Sequence, residues 1–278
     1  MSDVLHCETL EAEMKRLSVF GACWLSVVLW SSLAIAEEST SMTLLLAKRG
    51  MLLVDDDGVT DREGKVTVKL PNGLILRAGA GKWERSHESD GAWRSSWTAE
   101  MGHAPVVSYR GFRERDLVVE VSFRYGVMTE GWHTQCFRIA LDQRPEITGH
   151  VLSAWANPNN DFLETGFLLQ HIRKTPKKSV IQDLLLDRQP IAIEPERWYT
   201  AVVECVGDEA LFRMGDHLAY AHSEEIARRK NLVSLTWGKT WHEVKRVRIW
   251  RAELDPGWEE RKAEVLAKRE PFAARSRE

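Results

Sequence analysis

Hydrophobic and polar positions alternate along much of the chain beyond about residue 48. In residues 117–124, Val119, Val121 and Phe123 fall on one side of an extended segment, and Glu120 falls on the other with its polar neighbours. Such alternation places successive side chains on opposite faces of a β-strand. We therefore predict that the valines and Phe123 face a core. The polar side of the same strand is predicted to line a solvated, concave surface or simply the wet face of a sheet.

Turn residues separate these alternating runs. Asn72-Gly73 stands between two of them and predicts a hairpin, and Gly207-Asp208 and Gly215-Asp216 predict two further tight turns. About a dozen short runs at this spacing, without an internal repeat, are typical of an all-β protein. We predict an antiparallel β-sandwich or jelly roll over residues 37–254.

The end of the chain predicts a short helix and tail over residues 255–278. Asp255 is a natural N-cap and Pro256 suits the first helical position. Trp258, Val265 and Leu266 then form a narrow apolar stripe, which predicts that the helix packs on the sandwich.

The start of the chain has the pattern of a signal peptide over residues 1–36. A basic patch begins at Met14, residues 17–33 are apolar or small, and residues 34–36 (Ala-Ile-Ala) supply a cleavage site. The acidic residues before Met14 suggest that translation starts there. We predict a periplasmic or extracellular protein with no stable membrane span after cleavage, because the apolar run is shorter than the roughly 20 residues that span a bilayer.

Two cysteines, Cys136 and Cys205, remain after such cleavage. Each lies in a predicted strand, so an oxidising compartment allows a disulfide between them, and two separate buried thiols explain them equally well. The spacings of cysteine and histidine do not match a structural zinc site. The cysteine pattern therefore leaves both alternatives open.

Charge and aromatic content narrow the ligand classes. The formal net charge is −3, which gives no basic field for a nucleic-acid partner. The 12 tryptophans outnumber the 8 phenylalanines, and the broad indole face suits both core packing and stacking on a sugar ring. Composition leaves both roles open, and the candidate residues for contacting a carbohydrate ligand are Trp132, His133, Arg138, Trp155 and His103.

Residues 198–209 (WYTAVVECVGDE) and 244–252 (VKRVRIWRA) resemble strands of concanavalin A-like lectin/glucanase sandwiches. More narrowly, the chain is similar to the laminin-G-like, 3-keto-disaccharide hydrolase-like domains of exported bacterial proteins, over roughly residues 48–262. The resemblance implies a jelly-roll fold and an exported carbohydrate-active protein. The Glu-x-Asp-x-x-Glu strand of laminarinase-type glucanases is absent, and the nearest stretch supplies one carboxylate, Glu120.

Glycoside hydrolysis generally needs two acidic groups a few ångströms apart. The candidate catalytic residues are Glu120, Glu130, Asp142 and His150, with Asp161 and Glu164 as further carboxylates near aromatic residues. Three functions stay open from the sequence. They are a 3-keto-disaccharide-type glycoside hydrolase, a non-catalytic carbohydrate-binding module, and a structural sandwich of the cell envelope.

A run of acids, Asp55-Asp56-Asp57-Gly58, raises the question of a metal. Clustered carboxylates suit calcium, a hard cation. Position 12 of the corresponding loop is Val66, where a calcium-binding loop needs Glu. The pattern therefore favours a solvated turn, and no cofactor other than calcium is suggested.

Overall fold

The computed structural model describes ten stretches of the chain. From Thr43 onwards these stretches belong to one compact unit. Within the described part, no helix is long and apolar enough to cross a membrane. The described residues are 41–57, 67–70, 72–89, 91–97, 104–127, 137–143, 149–158, 165–174, 181–238 and 240–272.

One layer, sheet I, contains eight strands. They are β1 (Ala47–Asp56), β4 (Lys82–Arg85), β5 (Trp93–Ser96), β7 (Leu117–Tyr125), β12 (Tyr199–Val206), β13 (Glu209–Met214), β14 (His217–His222) and β16 (His242–Leu254). Their order is β14-β13-β12-β7-β16-β5-β4, and β1 also pairs with β16. The long strand β16 therefore has β7 on one side and both β5 and β1 on the other.

The second layer, sheet II, also contains eight strands. They are β2 (Thr67–Lys69), β3 (Ile75–Ala80), β6 (Val106–Glu114), β8 (Phe137–Asp142), β9 (His150–Asn157), β10 (Gly166–Lys174), β11 (Ile181–Gln189) and β15 (Lys230–Trp237). Their order is β11-β10-β9-β8-β15-β6-β3-β2, with antiparallel pairing between neighbours. The predicted fold class, an all-β antiparallel sandwich of the jelly-roll type with a short C-terminal helix, is confirmed.

The core lies between the two sheets. Val119, Val121 and Phe123 are fully buried in it, which confirms the predicted core face of β7. Phe123 stacks on Phe137 of the opposite sheet, with the ring centroids 4.1 Å apart. Aromatic pairs of this kind add about 0.5–1.5 kcal/mol to the burial of their area. Side chains that alternate along the strands thus meet their counterparts from the other layer.

The predicted turns occur at the predicted places. Gly73 has a φ of 84° between β2 and β3, and the Leu70 amide donates to the Leu74 carbonyl at 2.8 Å. Gly207 and Gly215 also have positive φ, between β12 and β13 and between β13 and β14. Residues other than glycine rarely adopt this conformation. The three glycines therefore fix the three strand connections.

The C-terminal helix, α1 (Trp258–Leu266), begins later than predicted. Gly257, and not Asp255, is its N-cap residue. The Asp255 carboxylate instead accepts the Gly257 amide at 2.9 Å and Arg261 Nη2 at 3.1 Å. Because aspartate readily bonds to the backbone two residues ahead, a turn forms before the helix. The predicted packing is confirmed, since Trp258 and Val265 are both buried against the sandwich.

Candidate functional site on the outward face of sheet II

Four central strands of sheet II align polar side chains on the face that points away from the core. In β15, β8 and β9 the directly opposed residues are Thr236, Arg138 and Trp155, and Leu168 of β10 completes the row. These positions alternate with core residues such as Ile139. The alternation places them on the outward side of the sheet.

A row of mostly small side chains runs beside the first row. It consists of Ser108, Ser234, Ala140, Ser153 and Gln170, on β6, β15, β8, β9 and β10 in that order. The two rows lie two residues apart along each strand, which is about 7 Å. The small side chains form a floor next to the larger Arg138 and Trp155. We call the floor together with Thr236, Arg138 and Trp155 the trough.

Arg138 and Trp155 contact each other within the trough. The Arg138 guanidinium carbon lies 4.7 Å from the centre of the indole ring, and Nη2 donates to the Thr236 hydroxyl at 3.0 Å. Trp155 is only 4% exposed. The prediction that this ring offers an open stacking platform is therefore wrong for this conformation, because one face lies on arginine and the ring is buried. For Trp155, the atom relevant to ligand binding is therefore the buried ring nitrogen, Nε1.

Two buried polar atoms of the trough have no hydrogen-bond partner among the described residues. They are Ser153 Oγ and Trp155 Nε1, two residues apart on the same outward face of β9. A buried donor or acceptor without a partner costs about 1–3 kcal/mol. Such groups are rare in folded proteins and call for a specific explanation, such as a ligand or a bound water.

A hydrogen-bonded acid and histidine lie at one end of the trough. Asp142, the last residue of β8, is buried, and its Oδ1 lies 2.6 Å from Nδ1 of His150, the first residue of β9. His150 keeps 23% of its side chain exposed, so it marks the solvent-facing end. Asp142 is the sole acidic residue in β8, β9, β10 and β15. The two residues thus form a hydrogen-bonded carboxylate–imidazole pair.

Glu120 does not belong to this site. It lies on the outward face of sheet I, on the other side of the sandwich, where Arg49 Nη2 donates to it at 2.9 Å and Arg248 also pairs with it. Val118, Glu120 and Ser122 are all buried. The prediction of a solvated surface on this side of β7 is therefore wrong. The strand is extended as predicted, but arginines from β1 and β16 cover its carboxylate.

Several predicted residues lie outside the described stretches. They are Glu130, Trp132, His133, His103 and Cys136, and with them Asp161 and Glu164. Cys205 is described and is a fully buried free thiol, which favours the buried-thiol alternative for this residue. Burial raises its pKa, and nearby Lys230 acts in the opposite direction. The thiol is therefore protonated at neutral pH.

The acidic run at the end of β1 is divided between partners. Asp55 accepts two hydrogen bonds from Arg246, at 2.9 and 2.8 Å, and buried Asp56 accepts the Tyr109 hydroxyl at 2.7 Å. Among the described residues, no three His, Cys, Asp or Glu side chains lie close enough together to hold a metal ion. Within β1, alternation points the neighbouring carboxylates of Asp55 and Asp56 to opposite faces. These two side chains therefore cannot bind one calcium ion together.

Sequence reasoning missed the trough's small polar residues. Ser153, Ser234 and Gln170 carry no motif and look like ordinary strand residues. The available signal was their position, two residues from Trp155, Thr236 and Leu168 on predicted strands. Only the pairing of the strands shows that these positions are neighbours.

Comparisons with known proteins give structural likeness without a family. No protein-family model and no curated protein matches the chain. A κ-carrageenase from Pseudoalteromonas carrageenovora, in complex with a κ-carrageenan oligotetrasaccharide, has a TM-score of 0.45 and 14% identity, covering 77% of this chain and 100% of that one. A carbohydrate-binding module from Bacillus subtilis has a TM-score of 0.41 and 12% identity, covering 64% and 92%.

A third neighbour is domain 4 of an extracellular arabinanase from Geobacillus stearothermophilus, in complex with arabinotriose. Its TM-score is 0.43 and its identity 10%, covering 76% of this chain and 97% of that one. At this level of identity and TM-score, the likeness carries no argument about function.

Proposed function

We propose that the protein binds carbohydrate along the trough of sheet II. The observation that carries the proposal is the pair of buried polar atoms, Ser153 Oγ and Trp155 Nε1, that have no partner among the described residues. A sugar hydroxyl both donates and accepts hydrogen bonds, so sugar hydroxyls can pair with both kinds of atom. Gln170, which lies opposite Ser153, adds a side-chain amide, which also both donates and accepts hydrogen bonds.

The remaining contacts of the trough fit the same ligand. Arg138, held by Thr236 and the Trp155 ring, places a guanidinium group in the row. A preorganised donor loses less entropy on binding than a free side chain. The exposed His150 end is the side from which a ligand reaches the row.

Binding measurements on the full chain test this proposal. Calorimetric titration with a neutral β-glucan oligosaccharide, arabinotriose and a κ-carrageenan oligosaccharide is expected to give binding to at least one of them. Trp155→Phe and Ser153→Ala each remove one polar atom, and each is expected to weaken that binding about three- to tenfold.

Trp250→Phe is the matched control, because Trp250 also carries a stacked arginine, Arg49, but lies on the outward face of sheet I. Its binding is expected to stay at the wild-type value. The absence of binding to every saccharide, or equal affinity in wild type, Trp155→Phe and Ser153→Ala, would overturn the proposal.

Hydrolysis is the second candidate, favoured by the 2.6 Å contact between Asp142 and His150. A carboxylate bonded to an imidazole is an arrangement suited to general acid–base chemistry. Glu130, another of the predicted catalytic residues, lies outside the described stretches and would be one candidate for the second carboxylate. Turnover of 3-keto-disaccharides or ordinary oligosaccharides that is lost in Asp142→Asn and His150→Gln supports this candidate, and no turnover on any of them leaves binding alone.

We propose in addition that the protein is exported and meets its ligand outside the cytoplasm. Residues 1–36 have the sequence pattern of a cleaved signal. N-terminal sequencing of protein recovered outside the cytoplasm is expected to begin at Glu37. Protein found only in the cytoplasm, with its first residues intact, contradicts export.

A further inference from the structure

A surface patch on the outward face of sheet I combines two tryptophans with two arginines. The centres of the Trp198 and Trp241 rings lie 5.4 and 5.5 Å from the guanidinium carbon of Arg124, and that of Arg94 lies 4.3 Å from the Trp241 ring. Both rings are partly exposed, whereas Trp83, Trp93, Trp237 and Trp258 are buried. We call Trp198, Trp241, Arg94, Arg124, Glu88 and Glu243 the tryptophan patch.

The charges of the patch neutralise one another. Arg124 Nε donates to buried Glu243 at 2.6 Å, and its Nη2 donates to Glu88 at 3.2 Å and to the Ser89 hydroxyl at 2.8 Å. Arg94 Nη1 donates to Glu88 at 2.8 Å. Two guanidinium groups thus face two carboxylates. Glu88 is 56% exposed, so the patch presents acceptors and donors to solvent without a net charge.

Gly126 fixes the position of the Trp241 ring. A Cβ atom on Gly126 would lie 2.2 Å from Trp241 Nε1, so only glycine lets the indole lie directly on this backbone. The Gly126 amide also donates to the Trp241 carbonyl at 2.9 Å. Any side chain at residue 126 would therefore push the ring away from Arg94 and Arg124.

A strained turn precedes Trp198 in the chain. Glu196, two residues before Trp198, has a φ of 65°, and it is the only described residue other than glycine with positive φ. Its amide donates to the Tyr125 carbonyl at 2.6 Å, which ties this turn to the end of β7 next to Gly126. Such backbone strain persists only where the surrounding structure holds it, and it is concentrated at functional sites.

We propose that the tryptophan patch is a second carbohydrate contact surface and that it takes an uncharged sugar. The ligand class rests on the proposed function. Partly exposed indole faces can stack on the C–H face of a pyranose. The exposed Glu88 carboxylate can accept hydrogen bonds from neighbouring hydroxyls. Because the patch has no surplus positive charge, it gives no advantage to sulfated or uronic sugars.

Substitutions in the full chain test the patch separately from the trough. Trp198→Ala, Trp241→Ala and the double variant are titrated with a neutral β-glucan oligosaccharide and with a κ-carrageenan oligosaccharide, which is sulfated. The wild type is expected to prefer the neutral probe. Each single variant is expected to weaken its binding about three- to tenfold, and the double variant more strongly.

Gly126→Ala supplies a second measurement that keeps every patch side chain. It displaces the Trp241 ring and is expected to weaken neutral binding as much as Trp241→Ala does. Trp250→Phe is the control, and circular dichroism of each variant checks that the sandwich is intact. If the patch acts only as a structural network, Trp198→Ala and Gly126→Ala leave affinity unchanged.

The outcomes separate the two proposals. Unchanged binding in the patch variants together with weakened binding in Trp155→Phe overturns the patch alone. Weakened binding in the patch variants with unchanged binding in Trp155→Phe overturns the trough alone. Preference for the sulfated probe overturns the uncharged ligand class, and no binding by the wild type overturns both.

Discussion

The two outward faces of this sandwich bury polar groups in opposite ways. On sheet I, Glu120, Glu204 and Glu243 are buried carboxylates, and each accepts a hydrogen bond from at least one arginine. On sheet II, the trough buries hydroxyls, an amide and an indole N–H, of which Ser153 Oγ and Trp155 Nε1 have no partner among the described residues. A buried charged group must be paired. A buried neutral group without a partner costs less free energy, so it can stay unpaired until a ligand binds.

Trp250 on sheet I and Trp155 on sheet II show the same contrast between the faces, although each ring lies at a similar distance from an arginine. Trp250 on sheet I lies 4.9 Å from the guanidinium of Arg49, and Trp155 on sheet II lies 4.7 Å from that of Arg138. Contact with an arginine is therefore similar at these two tryptophans and does not distinguish them. The difference lies in the neighbours, which are paired acids on sheet I and small neutral side chains on sheet II.

The largest effect is expected when a buried acid of sheet I is removed. Glu204 accepts the amides of residues 45–47 at 2.8–2.9 Å and Arg213 Nη2 at 2.7 Å. Glu204→Ala leaves three amides without their acceptor and leaves Arg213 with only the Thr43 carbonyl, and we expect a loss of about 3–5 kcal/mol in the free energy of unfolding. Urea denaturation measures it.

Glu114→Ala is the control for that measurement, because it breaks an ion pair with the half-exposed Arg251. Such pairs contribute about 0–1 kcal/mol. Equal losses in the two variants would show that burial does not decide the contribution of these acids.

A smaller effect is expected from the titration of Glu243. Burial acts to raise the pKa of this carboxyl, but hydrogen bonds from Arg124, Ser86 and Ser89 lower it below the ordinary value of 4.5. Its stabilisation is therefore present above the unfolded-state pKa and is lost as the pH falls through the lower folded-state pKa. We expect the wild type to lose stability between about pH 5 and pH 3 more steeply than Glu243→Gln.

Denaturant midpoints of wild type and Glu243→Gln, measured between about pH 5 and pH 3, test this expectation. Glu88→Gln is a suitable comparison, since Glu88 contacts the same arginines at the surface. Parallel pH curves for wild type and Glu243→Gln would contradict a lowered pKa.

The smallest effect, and the one of opposite sign, is expected in the trough. Ser153→Ala removes a buried hydroxyl without a described partner, so the free energy of unfolding should stay constant or rise by up to about 1 kcal/mol. Ser122→Ala on sheet I removes a hydroxyl 3.2 Å from that of Thr200 and should lower it by about 1 kcal/mol.

Thermal and urea unfolding of the two serine variants, without saccharide, distinguish the faces. A loss in Ser153→Ala as large as in Ser122→Ala would mean that Ser153 already has a structural partner. The contrast between the faces would then disappear.

The sequence predicted the parts of this fold that depend on neighbouring residues. Alternation identified the core side of β7, glycines identified three turns, and the stripe containing Trp258 and Val265 identified the buried side of α1. It also selected Arg138, Trp155, Asp142 and His150, which the structure brings to one face. It failed for Glu120, whose arginine partners lie 71 and 128 residues away.

What the sequence determined by itself is the layered β architecture, since period-two burial and glycine turns are properties of the local backbone. The order and register of the strands were decided only in the tertiary structure, where packing between distant segments selects one pairing. That pairing places Thr236 beside Arg138 and Trp155, and it assembles the tryptophan patch from five separate segments. Neither grouping leaves a trace in the linear pattern, because residues far apart in the chain become neighbours only when the sheets form.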